Sequence, residues 1–295
     1  MPDASTLPST TNDGRLAQAT ADNLFALFGA MAQRLPDGEL DRQPGFCRHH
    51  SPPTNPMFKG VWATSLEPPE VDAAIDDNIA WFRARAAPYF FWWTGPSSSP
   101  GDLGARLQAR GFLDMAGQQQ ALAPGIKQTE RGAPIMVAEL AALDSELLAR
   151  TPPGYQMVEV ADAAALDHFK QVFVETYQIP EWAGQAWVDA TRAIGIGRTP
   201  WRMFVGYLDG APVATNMLFL GGGVASVYAV ATLPAAQGRG VGAAITIAPL
   251  LSARAAGYHH AVLFSTEMGF KVYQRIGFRD TGARINRYLW RDPGT

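Results

Sequence analysis

The sequence predicts an α/β protein built on a mixed (α+β) sheet, and three observations predict it. Amphipathic helical patterns alternate with short apolar or β-branched runs through both halves of the chain. Three strand patterns follow one another between residues 202 and 232, and the first two are joined by Asp209-Gly210, a strong signal for a tight hairpin. The stretch Val230-Ala-Thr-Leu-Pro-Ala-Ala-Gln-Gly-Arg-Gly-Val-Gly-Ala243 then reads as a strand, a proline-broken turn and a glycine-rich helix start.

Taken in order, residues 1–14 are rich in Ser, Thr, Pro and Asp and are expected to be disordered. Leu16, Leu24, Leu27, Phe28, Met31 and Leu35 recur at helical spacing, with Thr20 as the polar gap on that face. A strand over Phe58–Ser65 and a helix over Pro69–Ala86 follow, the helix with Val71, Ala74, Ile75, Ile79 and Phe82 on one face. Tyr89–Thr94, aromatic until its end, is expected as a buried strand, and Pro96–Pro100 as a turn. Leu103–Arg110 suits a short helix closed by Gly111, before a strand over Phe112–Leu122. Pro152-Pro153-Gly154 stops regular structure, which predicts a boundary near residue 150 between domains 15–150 and 151–295.

The second half is expected to run strand Gln156–Val160, helices Ala163–Tyr177 and Pro180–Ile194, and strands Arg202–Leu208, Pro212–Leu220 and Val224–Thr232. Helix Gly240–Ala256 ends at Gly257, strand His259–Ser265 leads to helix Met268–Ile276, and Gly277 precedes one or two closing strands over Phe278–Trp290. Pro249 falls inside the long helix, where it costs about 3 kcal/mol and removes the bond to the Ile245 carbonyl unless something compensates.

Composition narrows the classes of function. With 295 residues, 47% hydrophobic content and a net charge of −3, the chain has material for two modest domains and no basic cluster of the kind that nucleic-acid binding requires. Its one cysteine, Cys47, lacks ligand partners at zinc spacing and is read as an incidental thiol; no metal site is expected. Neither a signal pattern nor a membrane-spanning apolar run is present, so no membrane association is expected and a cytoplasmic location is the default. No pattern bears on the oligomeric state.

The glycine-rich turn carries the chemistry. Gly238, Gly240 and Gly242 lack a Cβ, so backbone N–H groups there can close on phosphate oxygens, and the helix that starts near Gly240 adds about half a positive charge and unpaired donors at its N-terminus. A pyrophosphate fits such a cradle.

These residues resemble the GNAT N-acetyltransferase superfamily. In that family a strand leads into Gln/Arg-x-x-Gly-x-Gly/Ala, which Gln237-Gly-Arg-Gly240-Val-Gly242 satisfies, with Thr232 where valine is usual. A second feature, an aromatic on the next helix followed by Gly-Phe, is matched by Val272-Tyr273-Gln-Arg-Ile-Gly277-Phe278. The resemblance covers roughly residues 155–290 and implies acetyl-CoA as donor, its pyrophosphate on Gln237, Gly238, Arg239, Gly240, Val241, Gly242 and Ala243. It further implies that the pantetheine arm pairs with Val230, Ala231 and Thr232, that an N–H near Thr232 or Leu233 faces the thioester oxygen, and that Tyr273 protonates the departing thiolate. The implied reaction is direct transfer, in a ternary complex, to the amine of a small-molecule or peptide acceptor.

In the first half Leu107-Gln-Ala-Arg-Gly111-Phe112 lies over Tyr273-Gln-Arg-Ile-Gly277-Phe278, with Leu107 in place of the tyrosine and no glycine-rich motif upstream. A tandem chain is therefore expected, its first half acetyltransferase-like but degenerate and without a cofactor motif. Other residues carry plainer readings. Glu267 is a candidate base for the acceptor amine but better suits the dipole of its helix, Tyr228 holds a water or lines the pocket, and Ser265 and Thr266 either cap the Met268 helix or touch the donor. His259 and His260 read as one exposed and one packed residue, and Trp92 and Trp93 as core, while Trp182, Trp187 and Trp201 are candidates to shape an acceptor pocket. A nicotinamide-dinucleotide reading of Gly238-x-Gly240-x-x-Ala243 fails because His260–Phe264 carries no acid for a ribose. The remaining alternative is an acyl-CoA-binding sensor that performs no transfer.

Overall fold

Strands and helices alternate as the periodicity requires, and the computed structural model describes residues 6–53, 55–116 and 132–294. In chain order the elements are helix α1 (Asp13–Arg34), hairpin β1 (Glu39–Gln43) and β2 (Phe46–His50), β3 (Lys59–Trp62), α2 (Val71–Arg83), β4 (Tyr89–Thr94), α3 (Leu103–Ala109), β5 (Leu113–Asp114) and β6 (Ala133–Glu139). There follow β7 (Tyr155–Glu159), α4 (Ala163–Tyr177), α5 (Glu181–Ile194), the meander β8 (Trp201–Leu208), β9 (Ala211–Gly221) and β10 (Val224–Thr232), then α6 (Val241–Ala255), β11 (His260–Phe264), α7 (Glu267–Arg275) and β12 (Arg279–Arg291). The expected strand Phe112–Leu122 is represented by β5, and residues 117–122 of it lie outside the described residues.

The strands hydrogen-bond in the order β1-β2-β3-β4-β12-β6-β11-β10-β9-β8-β7, with β5 also on β12. The two halves repeat one succession: a strand, a helix, a parallel strand, a second helix and a further strand that is separated from the last by one inserted antiparallel strand. This is β3-α2-β4-α3-β5 in the first half and β10-α6-β11-α7-β12 in the second. The first half is thus mixed α/β, as a tandem chain requires. The exchange of closing strands was not foreseen. β6 leaves the first half to pair with both β11 and β12, and residues 286–291 of β12 leave the second half to pair with β4 and β5. Hydrogen bonding in the sheet therefore crosses the junction near residue 150 in both directions.

α1 buries Leu16, Leu24, Leu27, Phe28 and Met31, and Thr20 satisfies its hydroxyl on the Leu16 carbonyl at 2.8 Å. The same face carries buried Asn23, whose Nδ2 donates to the Gly221 carbonyl at 2.8 Å and whose Oδ1 accepts from Tyr228 Oη at 2.6 Å, tying the first helix to the β9–β10 turn. Residues 6–14, expected to be disordered, are held as well. Leu7 N–H donates to the Gly223 carbonyl, His260 Nε2 lies 2.7 Å from the Pro8 carbonyl, and Asp13 pairs with Arg279. His259 is exposed and His260 buried, in accord with the expected division.

Pro249 has its compensation in β9. The Ile245 carbonyl, freed of its helical partner, accepts from buried Asn216 Nδ2 at 2.8 Å. The sequence hides this because Asn216 lies on another strand, 29 residues upstream of Ile245. Among the described residues, no helix is long and apolar enough to cross a membrane.

Asn216→Ala should cost about 1–3 kcal/mol in urea denaturation, because it leaves a buried carbonyl without a donor. In a Pro249→Ala background the restored N–H at position 249 supplies that donor, so the same change should cost less. Additive effects of the two substitutions would show that Asn216 does not act through Ile245.

Candidate active site

The site begins where two parallel strands diverge. β10 and β11 pair at Ala225 with Ala261 and at Ser226 with Val262, and beyond that point β10 has no strand on its β11 side. The cause lies in β10: its register on β9 shifts between Tyr228 and Ala231, so that Ala229 and Val230 together oppose Asn216, and Ala229 takes φ +48°. A non-glycine residue there is strained by about 1–2 kcal/mol, and side chains secure the bulge. Thr215 Oγ1 donates to the Ala229 carbonyl at 2.7 Å and Tyr177 Oη to the Val230 carbonyl at 2.6 Å.

Alternation settles where the next amides point. Leu233 N–H donates to the Val213 carbonyl, so Leu233 is engaged with β9 and does not face the opening. Its neighbour Thr232 belongs to the non-bonded pair with Ala214 and directs its N–H and C=O away from β9 into the gap. The Thr232 carbonyl is taken by Gln237 Nε2 at 2.9 Å, and its N–H is left facing the splay.

The turn that follows is a ring of donors. Gly238 and Gly240 have φ of +72° and +82°, and Gly240 sits at the N-cap of α6 with no side-chain cap. A Cβ at Gly240 would stand 2.7 Å from the Arg150 carbonyl oxygen, so glycine is required there both by φ and by space. Among the described residues, none of the N–H groups of residues 238–243 meets an acceptor in the chain. Arg150, Arg239 and Arg275 stand at the same mouth, and none of the three makes an ion pair among the described residues. Six amides, a helix N-terminus and three guanidinium groups that lack carboxylates make a receptor for a polyanion.

The opening continues into a cavity of about 1350 Å³. Val230, Ala231, Thr232, Gln237, Gly238, Arg239, Gly240, Gly242, Ala243 and Tyr273 all line it. Val241 does not; its side chain is fully buried beneath α6, so only its amide faces the turn. Tyr273, on α7, packs its ring against Phe278, and its hydroxyl makes no hydrogen bond among the described residues. Burial, reinforced by the neighbouring Tyr177 phenol, pushes its pKa well above the ordinary tyrosine value, so it remains a proton donor through the physiological range.

Other expectations divide. Thr266 caps α7 by accepting from Gly269 N–H at 3.2 Å, and Ser265 Oγ donates to the Thr266 carbonyl; both also line the cavity. Glu267 is exposed in the first turn of α7 and stands outside the cavity, where it serves the helix dipole. Tyr228 lines the cavity and spends its hydroxyl on Asn23. Trp182 and Trp187 line the cavity, while Trp201 is buried behind Trp187 with ring centroids 6.3 Å apart. Trp92 and Trp93 are core residues, and Cys47 is half-buried on β2, outside the cavity lining. Among the described residues, Asp292 is the one carboxylate on the cavity wall, and it pairs with Arg83. No three His, Cys, Asp or Glu side chains among them gather as a metal would require.

In the first half the corresponding features are missing. The segment between β3 and α2 brings Glu67, Glu70 and Asp72 to the start of α2, which repels phosphate, and Leu107 is fully buried where Tyr273 stands in the second half.

A family model of the GNAT acetyltransferase domain matches residues 144–272. The match ends one residue before Tyr273. Solved structures share the GNAT fold along the full length of the chain. A GCN5-related N-acetyltransferase from Kribbella flavida has a TM-score of 0.66 at 18% identity and covers 97% of each chain. A tandem GNAT protein from the clavulanic acid biosynthesis pathway has a TM-score of 0.57 at 15% identity, also over 97% of each. A functionally unknown protein from Staphylococcus epidermidis ATCC 12228 gives 0.63 at 12% identity, over 87% of this chain and 95% of its own. No curated protein matches the sequence. At these identities the likeness is one of fold, and the site must be argued from its own residues.

Four site residues escaped the sequence. Tyr177, Arg150 and Arg287 line the cavity outside any readable motif, because each is brought in by an element distant from the glycine-rich turn, and Arg275 stands at an unspecified position of the Val272–Phe278 motif. Tyr177→Phe removes the donor from the Val230 carbonyl and should cost about 1–3 kcal/mol in chemical denaturation. An unchanged midpoint would mean that the bulge does not need this clamp.

Proposed function

We propose that the protein transfers an acetyl group from acetyl-CoA to an amine, by direct attack in a ternary complex. One observation carries this reading: the amides of residues 238–243 have no acceptor in the chain and open beside the gap between β10 and β11. Such a run of donors fits a pyrophosphate, and Arg150, Arg239 and Arg275 supply cations for the nucleotide phosphates. Beyond Ser226 the edge of β10 has no strand partner on its β11 side, and an extended pantetheine diamide suits such an edge as an added strand. Acetyl-CoA brings an acyl group on a good leaving thiolate.

The residues of the chain then do four things. The cradle of residues 238–243 fixes the donor, and the edge of β10 at Val230–Thr232 aligns its arm. The Thr232 N–H faces the thioester oxygen and stabilises negative charge that develops there as the amine nitrogen bonds to the carbonyl carbon. Tyr273 gives its proton to the sulfur as the C–S bond breaks, and the proton lost by the amine restores the phenol through solvent. Among the described residues no histidine, and no carboxylate other than ion-paired Asp292, lines the cavity. The acceptor amine therefore loses its proton to water before attack.

The decisive experiment is titration of the protein with acetyl-CoA, CoA and NAD, followed by tryptophan fluorescence and melting temperature. A response to the two thioester-related ligands and none to NAD is expected, and a response to NAD alone would sink the proposal. Gly240→Val should weaken CoA binding by about a hundredfold or more. Tyr273→Phe should keep that binding and lower kcat by roughly 10²–10⁴-fold. Equal loss of binding in both variants would make Tyr273 structural, and wild-type binding with no thiol release across a panel of amines would favour the sensor reading.

The pH dependence follows from the same geometry. Activity should rise with pH as the acceptor amine becomes neutral, and the midpoint of kcat/KM should move with the intrinsic pKa of each acceptor. Because Tyr273 is held above the usual tyrosine value, no alkaline decline should set in below about pH 10. A midpoint that stays fixed across acceptors of different basicity would reveal a base on the protein.

A further inference from the structure

Arg287 is a half-buried cation that no carboxylate accompanies among the described residues. Its guanidinium lies over the rings of Phe91 and Trp93, 5.3 and 5.7 Å from their centroids. Nη1 reaches only Met57 Sδ at 4.0 Å, a weak acceptor, and Nε is buried with no partner. Burial lowers its pKa to about 10, which leaves it charged at neutral pH. A charge withdrawn from water is unfavourable unless it meets an anion, and the two ring faces offset only a fraction of that. The side chain lines the cavity, so the anion it lacks has a place to come from.

Its position relative to the transfer site is readable from the sheet. Strand alternation puts Arg287 on the face of β12 shared by Ile285 and Leu289, both packed in the core that α1 covers. From β10 the order runs through β11 and β6 to β12, three steps of about 4.8 Å where strands pair, and the first of them is widened by the splay at Thr232, so the backbones that carry Thr232 and Arg287 are more than about 14 Å apart. The wall between is apolar, with Leu27, Phe28, Met217 and Leu289. The donor cradle occupies the opposite end, and the arginines there are separate from Arg287 in the fold.

We propose that Arg287 binds the carboxylate of the acceptor, whose amine is presented at Thr232 and Tyr273 and is joined to that carboxylate by an apolar spacer. This rests on the transfer reading above. It assigns the acceptor to the amphipathic ω-amino carboxylates. An α-amino acid, with both groups on one carbon, is too short to engage both ends.

The test uses the full-length protein with γ-aminobutyrate, ε-aminocaproate, ω-aminocaprylate and ω-aminolaurate, each against the alkylamine of the same length, and leucine as the α-amino acid. Thiol release with acetyl-CoA gives kcat/KM, and tryptophan fluorescence gives acceptor binding with no donor present. The wild type should prefer one or more of the longer carboxylates over the matched amine by about tenfold or more, and over leucine. In Arg287→Met that ratio should fall to about one while CoA binds as before; Arg287→Lys, which keeps the charge without the fork, should fall between and serves if Arg287→Met does not fold. Equal use of carboxylates and amines by the wild type, or a preference that survives Arg287→Met, would overturn the proposal. So would a wild-type preference for succinyl-CoA over acetyl-CoA that Arg287→Met abolishes, because the carboxylate would then belong to the donor. Failure of the wild type to bind CoA would strike the transfer reading instead, and the donor-free fluorescence titration would still decide whether Arg287 holds a carboxylate.

Discussion

A sheet cannot splay neighbouring strands apart without finding partners for the backbone groups it exposes, and this constraint governs the active-site region. The carbonyls of Ala229, Val230 and Thr232 are each met by a side chain, from Thr215, Tyr177 and Gln237. The amides are treated differently: Thr232 and residues 238–243 keep theirs open. Acceptors are satisfied internally while donors stay open, an arrangement whose selectivity would favour a ligand rich in oxygen and negative charge. Asn216 binds this arrangement to the rest of the fold, because it opposes the bulge on one side and steadies the proline-broken helix α6 on the other.

The electrostatic character of the cavity agrees with that selectivity. Its wall carries arginines at both ends and one carboxylate, Asp292, that is paired with Arg83. Burial raises the pKa values of Tyr177, Tyr228 and Tyr273 together, so all three remain neutral donors, and two of them spend that donor on the protein. Tyr273 alone of the three has a hydroxyl without a partner among the described residues.

Much of this was legible because it rests on local rules. Glycine spacing at 238–242, the Asp209-Gly210 hairpin and the apolar periodicity of α1, α4 and α6 are all decided within a few residues of one another. What escaped depends on distant partners. The hairpin β1–β2 has an exposed polar strand, which presents no alternation to read. β6 is buried on both faces between β11 and β12, so its run Ala133–Ala138 shows neither strand nor helix period. The bulge at Ala229 involves no glycine and no proline, and its cause, the clamp by Tyr177, lies more than fifty residues away. Arg287 gave no signal because a cation on an alternating strand reads as a solvent-facing residue until the sheet is assembled.

The reciprocal loan of β6 and β12 also bears on how the molecule is made. β12 supplies a rung between β4 and β5, so the amino-terminal portion leaves the ribosome with a slot that stays vacant until residues 286–291 have been made. Until then that portion presents open edges of the aromatic strand Tyr89–Thr94, the kind of surface that nascent chains shield with chaperones. Genetic separation of the two portions would accordingly yield two incomplete sheets, each awaiting a rung from the other.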